Sequence, residues 1–293
     1  MKKILLWVGI VFCLYVIFIG YIALRQDSYV FLPRSTTDER WKKVIDDLHG
    51  DYVSIMADDG SVLEGMFLSD HSGQPRPTVI FFPGNGMLVE EIAYEFADLP
   101  SQGINVLLMD YRGYGLSTGE PDVEWIKRDA EKIFDAAASH VLVQKDRITV
   151  IGFSLGTGFA AYLASVKPAV PRTDPERSEG SGAGVANVIL LAPFTNMVDR
   201  GMEIFHIVPR PIMRRLLHAS LDTLSLAPTI HQPALIAHGE ADEAISSKHA
   251  IKIRDAWAGP TELLLLPGVG HQDILESKEM WQKAVELITT GTE

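Results

Sequence analysis

Six short apolar runs recur through the second two thirds of the chain: Val79–Phe82, Val106–Met109, Ile148–Ile151, Val188–Leu191, Ala234–Ala237 and Leu263–Leu266. Their residues are apolar almost without interruption rather than alternating with polar ones. A strand without a polar face has both faces covered, which is the mark of a parallel sheet. Helix-length segments separate most of the runs: Val89–Ser101, Val123–Leu142, Leu155–Ser165, Ser246–Ala258 and Ser277–Thr289. This alternation predicts an α/β fold with helices on both faces of a mostly parallel sheet. Ahead of it, Asp51–Met56 and Leu63–Ser69 alternate about Asp58-Asp59-Gly60, an antiparallel hairpin signal that raises the expected strands to eight.

The N-terminus carries a different pattern. Ile4 to Leu24 is uncharged throughout and is bracketed by Lys2-Lys3 and Arg25. As a helix it reaches about 31 Å, the thickness of a bilayer core. A cleaved signal peptide has a shorter apolar region and a small-residue cleavage site, and neither is present. Residues 1–27 are therefore expected to be a single-pass membrane anchor held through residues 4–24, and 28–50 a linker containing a short helix near Glu39–Leu48. Lys2 and Lys3 favour the N-terminus inside and the main domain on the extracytoplasmic side. Arg25, Arg34, Arg40, Lys42 and Lys43 pull the other way.

Residues 51–293 have the size of one α/β domain. Two stretches interrupt its rhythm. The segment 171–184 (PRTDPERSEGSGAG) holds nothing that can enter a core and is expected to be a flexible loop. An insertion at about 195–232 is too long for a turn. Within it, Pro211–Leu221 sets Ile212, Met213, Leu216 and Leu217 beside Arg214 and Arg215, the pattern of a small amphipathic lid helix. The net charge of −12 lacks the basic footprint of a nucleic-acid binder. With Cys13 as the lone cysteine, an intrachain disulfide is excluded.

Chemistry concentrates where strands end. Gly152-Phe-Ser154-Leu-Gly156 follows the run Ile148–Ile151 and opens a helix. A serine on such a turn needs strained backbone angles, and residues two positions either side must lack a Cβ for the chains to approach. The turn lifts the hydroxyl above the sheet and offers the Leu155 N–H, at a helix N-terminus, to a developing oxyanion. A serine hydroxyl needs a base, and His271 follows the last apolar run in Gly268-Val-Gly270-His271. The base needs a carboxylate, and Asp242 follows the run Ala234–Ala237. Glu240, Glu243 and, after the preceding run, Asp199 are the alternative acids. Phe81-Phe82-Pro83-Gly84-Asn85-Gly86 ends the first parallel run in a turn that would aim the Asn85 N–H at the same oxyanion. Asp110-Tyr-Arg-Gly-Tyr-Gly115 closes the next run, and a structural role is expected for it.

Together these residues resemble the α/β-hydrolase superfamily, from about Tyr52 to the C-terminus. The likeness is to membrane-anchored α/β-hydrolase-domain proteins, which pair a glycine–asparagine oxyanion turn with a DYRGYG-like strand end. The position before the oxyanion glycine, commonly histidine in such proteins, is here Pro83. Because the donor is a backbone amide, that change leaves it in place. The expected chemistry is acyl transfer to water. Ser154 acts as nucleophile, His271 as base, Asp242 as its orienting acid, and the amides of Asn85 and Leu155 as oxyanion donors. Gly84, Gly152 and Gly156 serve as motif glycines, and no metal or organic cofactor is required. A dehalogenase or epoxide-hydrolase reaction on this fold would need a carboxylate at position 154. The substrate expected from the anchor and the lid is a lipid-like carboxylic ester, with a peptide or thioester as alternatives. The rival from another class is a non-catalytic, membrane-bound binding or scaffold protein.

Overall fold

A computed structural model describes residues 1–168, 183–217 and 221–290, and for residues 22–29 only the backbone. The expected loop 171–184 falls outside these residues except for its last two positions.

Eight strands form one sheet: β1 (Asp51–Met56), β2 (Val62–Leu68), β3 (Arg76–Phe82), β4 (Asn105–Met109), β5 (Val143–Phe153), β6 (Val185–Leu191), β7 (Ala234–Gly239) and β8 (Thr261–Leu266). Their spatial order is β1-β2-β4-β3-β5-β6-β7-β8. Pairing is antiparallel for β1–β2 and β2–β4 and parallel from β4 to β8. The hairpin turn sits where Asp58-Asp59-Gly60 lies. Gly60 takes φ +86°, and the Ala57 N–H donates to the Ser61 carbonyl at 2.8 Å.

Because side chains alternate along a strand, the apolar runs feed two cores at once. Ile80, Phe82 and Val150 face a layer with Phe134 of α3 (Val123–Ser139), Phe159 of α4 (Gly156–Val166) and Ile253 of α7 (Lys248–Ala256). Val79, Phe81 and Ile151 face the opposite layer, with Trp41 of α2 (Asp38–Leu48) and Met280 of α8 (Lys278–Thr290). This two-faced burial is why strands β3 to β7 carry almost no exposed residue.

Two elements differ from expectation. The segment expected as one helix over Val89–Ser101 is a single α-turn, Val89–Ile92, followed by 3-10 turns at Ala93–Phe96 and Pro100–Gln102. Its apolar residues Val89, Ile92, Phe96 and Leu99 remain buried against the sheet. Pro100 has no N–H with which to continue a helix. Strand β5 begins five residues before its apolar run, because Val143 already pairs with Arg76.

Between β6 and β7 the chain builds α5 (Met197–Ile204) and α6 (Arg210–Leu216) over the C-terminal edge of the sheet. Asn196 caps α5 by accepting the Asp199 N–H at 2.8 Å. The helix expected over Pro211–Leu221 starts one residue earlier and ends at Leu216, and residues 218–220 lie outside those described. At the N-terminus, α1 runs without a break from Lys2 to Val30. Its segment Lys2–Tyr21 has a mean hydropathy of 2.5 and holds no buried residue, with Tyr15, Phe18 and Ile19 half-exposed.

Candidate active site

Ser154 stands between the end of β5 and the start of α4 with φ +51°, a left-handed conformation that costs a non-glycine residue of order 1–3 kcal/mol. The surrounding chain enforces it. The Ser154 N–H donates to the Leu191 carbonyl of β6 at 2.9 Å. A Cβ on Gly152 would collide with the Gly156 carbonyl oxygen, and one on Gly156 with the Phe82 carbonyl oxygen. Gly84 is equally constrained, since a Cβ there would come within 2.8 Å of the Phe153 ring.

Three side chains from three strand ends meet above this turn. The Ser154 Oγ lies 3.1 Å from His271 Nε2, and His271 Nδ1 lies 2.7 Å from Asp242 Oδ2. Nδ1 donates to the carboxylate, which leaves Nε2 free to accept the serine proton. The other oxygen of Asp242 accepts the backbone N–H groups of Ala244 and Ile245, each at 2.8 Å. Burial of Asp242 would raise its pKa, but hydrogen bonds from His238, His271 and the Ile245 amide outweigh it. They hold the carboxyl well below the usual carboxylate range. A buried carboxylate that stays ionised fixes the imidazole tautomer and favours its cationic form.

The alternative acids are elsewhere. Asp199, on α5, accepts the Thr195 hydroxyl at 2.6 Å and pairs with Arg210 at 2.6 Å. Glu240 and Glu243 are exposed on the turn after β7.

One partner of Asp242 was not anticipated from sequence. His238, near the end of β7, is fully buried. Its Nε2 lies 2.9 Å from the Ile245 carbonyl and 3.2 Å from Asp242 Oδ2. Both are acceptors, so Nε2 carries the proton, and Nδ1 has no partner among the described residues. The signal is present in His238-Gly-Glu-Ala-Asp242, but only the turn geometry reveals the contact.

The turn after β3 is braced by the motif that closes β4. Tyr111 donates its hydroxyl to the Pro83 carbonyl at 2.8 Å, and Tyr114 donates to Asn85 Oδ1 at 3.0 Å. Asp110 Oδ1 accepts the Val89 N–H at 3.0 Å, while its second oxygen is buried with no partner among the described residues. Burial pushes the Asp110 carboxyl up to about 7. Arg112, fully buried, points away from the site and pairs with Asp129 at 2.7 Å and Asp59 at 2.8 Å.

Ser154, His271, Leu155 and Asn85 line one cavity of about 610 Å³. Phe194, Met197, Phe205, Met213, Leu217 and Ile245 make one wall apolar. The lining also includes Arg34 and Glu91, joined by two hydrogen bonds of 2.8 and 2.7 Å. Among the described residues no cluster of three or more His, Cys, Asp or Glu side chains is arranged to hold a metal ion.

A mixed sheet of this strand order, with a strained serine turn after its central strand, defines the α/β-hydrolase fold. A family model described as the alpha/beta hydrolase fold matches residues 77–199, in agreement with the fold of the whole sheet. An uncharacterized protein of Mycobacterium tuberculosis is 29% identical over 239 residues, covering 81% of this chain and 78% of that one. The alpha/beta hydrolase domain-containing protein 17C of Xenopus tropicalis is 29% identical over 216 residues, covering 73% of this chain and 62% of that protein. Among solved structures, an esterase of Pyrococcus furiosus superposes with a TM-score of 0.64 at 20% identity, covering 89% of this chain and 98% of that one. That likeness concerns the fold.

Proposed function

We propose that this chain is a membrane-anchored serine hydrolase that cleaves a carboxylic ester of a lipid-like acyl group, with its catalytic domain on the extracytoplasmic side. The observation that carries the reading is the hydrogen-bonded line Ser154–His271–Asp242 at the foot of a cavity with one apolar wall. An isolated serine hydroxyl has no need of a buried, ionised carboxylate two groups away; a nucleophile does.

In this mechanism Ser154 attacks the substrate carbonyl while His271 takes the hydroxyl proton. The charge developing on the carbonyl oxygen is held by the backbone amides of Leu155, at the N-terminus of α4, and Asn85. His271 then gives its proton to the leaving alcohol. A water molecule, activated by the same imidazole, releases the acid from the acyl-enzyme. The apolar wall formed by Met197, Phe205, Met213 and Leu217 takes the acyl chain, and the volume is in the range that holds a drug-sized ligand. The esterase among the structural relatives supports an ester over an amide. Membrane attachment rests on the length and hydropathy of α1.

The test is a p-nitrophenyl ester series of increasing acyl length run beside peptide p-nitroanilides, with the full chain in detergent. Hydrolysis that rises from acetate to medium or long acyl chains, with no release from the peptides, is expected. Release from the peptides alone would replace this reading with a peptidase.

A further inference from the structure

The anchor helix and the lid touch each other at a level that membrane geometry does not leave in water. Of residues 1–21, only Tyr15, Phe18 and Ile19 are not fully exposed, and they share one helix face by their spacing. Phe18 and Ile19 pack on the cluster Val208, Met213 and Leu216 of the lid. The Tyr15 hydroxyl donates to the Ile207 carbonyl at 3.2 Å.

The uncharged run extends from Ile4 to Leu24. If the lid stood clear of the membrane, only Ile4–Leu14 would remain beyond the contact. Those residues reach roughly 16 Å as a helix, about half of a bilayer core. If the whole run spans instead, Phe18 and Ile19 lie about 8 Å inside its boundary, the depth to which interfacial helices bury their apolar faces. Tyr15, and Ile207 beside it, lie deeper still.

The lid surface matches that placement. Ile204 and Ile207 are 60% and 66% exposed, although both belong to the lid tip next to α1. Arg214 and Arg215 are exposed on α6 beside them, and long cationic side chains reach headgroups from such positions. The cavity adjoins this surface: Ile204, Phe205 and Met213 of the lid and Val30 at the end of α1 all line it.

We propose that the lid tip, from Ile204 to Leu216, is seated in the leaflet next to the catalytic domain, and that acyl substrate reaches Ser154 from that leaflet without crossing water. This rests on the reading of α1 as an anchor and of Ser154 as the hydrolytic centre. The bilayer itself is then the partner of the lid.

The test uses the full chain in phosphatidylcholine vesicles containing a minor share of phosphatidylglycerol. An environment-sensitive fluorophore is placed on native Cys13 or, in a Cys13→Ser background, on Ile207→Cys or Ser101→Cys. Spin-labelled lipids should quench the probes at Cys13 and Ile207→Cys and leave Ser101→Cys, on the exposed 3-10 turn before β4, unquenched. Quenching at Cys13 with none at Ile207→Cys overturns the proposal and leaves the anchor standing. Loss of quenching at Cys13 overturns both. A second readout concerns delivery: Ile207→Glu should lower hydrolysis of a long-chain ester held in the vesicles about tenfold while leaving a soluble short-chain ester unaffected. An equal effect on both esters, or none on either, would overturn the delivery route.

Discussion

The His238 Nε2 lies 3.2 Å from Asp242 Oδ2, the same oxygen that receives His271 at 2.7 Å. The carboxylate thus divides its acceptor capacity between two imidazoles, one fully buried and one facing the cavity. Donation from both keeps Asp242 ionised despite its burial.

Replacing His238 by leucine keeps a side chain of similar bulk but removes the donor that the Asp242 carboxylate and the Ile245 carbonyl share. With that donor gone, the Asp242 carboxyl rises from its lowered value and protonates at higher pH, where it no longer orients its other partner. The acid limb of the kcat/KM–pH profile should move to higher pH, and kcat at neutral pH should fall roughly tenfold. His238→Gln, which retains a donor, should recover part of both. A pH–rate series on the two variants, with thermal unfolding as a folding control, decides the matter. An unshifted profile in His238→Leu would reduce His238 to packing.

Asp110 carries the opposite perturbation. Its folded-state carboxyl titrates at about 7 because burial disfavours the charge. A carboxyl raised above its unfolded value stabilises the fold fully below about pH 4 and loses that contribution as pH rises towards 7. Asp110→Asn, which still offers an oxygen to the Val89 N–H, should flatten this dependence. Melting temperatures from pH 5 to 8 should fall more steeply in the wild type than in Asp110→Asn. Parallel curves would contradict the assignment.

At Gly156 the added methyl of alanine would collide with the Phe82 carbonyl oxygen, a backbone atom that cannot rotate aside. Gly156→Ala should destabilise the fold by about 1–3 kcal/mol in urea unfolding, the range for overpacking. It should also lose most of its activity, since the strained serine turn depends on that approach. Wild-type stability in this variant would mean that the turn is looser than its geometry indicates.

Tyr111 offers a milder probe of the proposed oxyanion turn. Its hydroxyl holds the Pro83 carbonyl at 2.8 Å, two residues before the Asn85 amide. Tyr111→Phe leaves the ring packing and removes the restraint, so kcat should fall roughly fivefold with KM nearly unchanged. A change in KM alone would place Tyr111 in substrate binding instead.

Much of this site was legible in the residues themselves, and the reasons differ from place to place. Runs such as Val188–Leu191 announce strands because a parallel sheet covered on both faces leaves no room for polar side chains. Gly152 and Gly156 announce the serine turn because only the absence of a Cβ permits the approach of Phe82 and Thr157 to the elbow. The order of strand ends favoured Asp242 over Asp199, and the structure brings Asp242 to His271 while Asp199 caps lid contacts. His238 escaped notice because its contact depends on how the chain folds back after β7 to bring the Ile245 carbonyl and Asp242 together. The segment after Leu88 misled in another way. Its apolar spacing satisfies a helix, yet the same residues bury equally well as 3-10 turns. Contact between α1 and the lid joins residues nearly two hundred positions apart, which no local pattern encodes.

The proposed hydrolysis requires Ser154 to be a nucleophile activated by His271. Its most direct test is labelling of the full chain with a fluorophosphonate probe, followed by mass mapping of the adduct. Stoichiometric labelling confined to Ser154 is expected, absent in Ser154→Ala and strongly slowed in His271→Ala. Labelling that persists in Ser154→Ala, or a folded wild type that does not react, would contradict it.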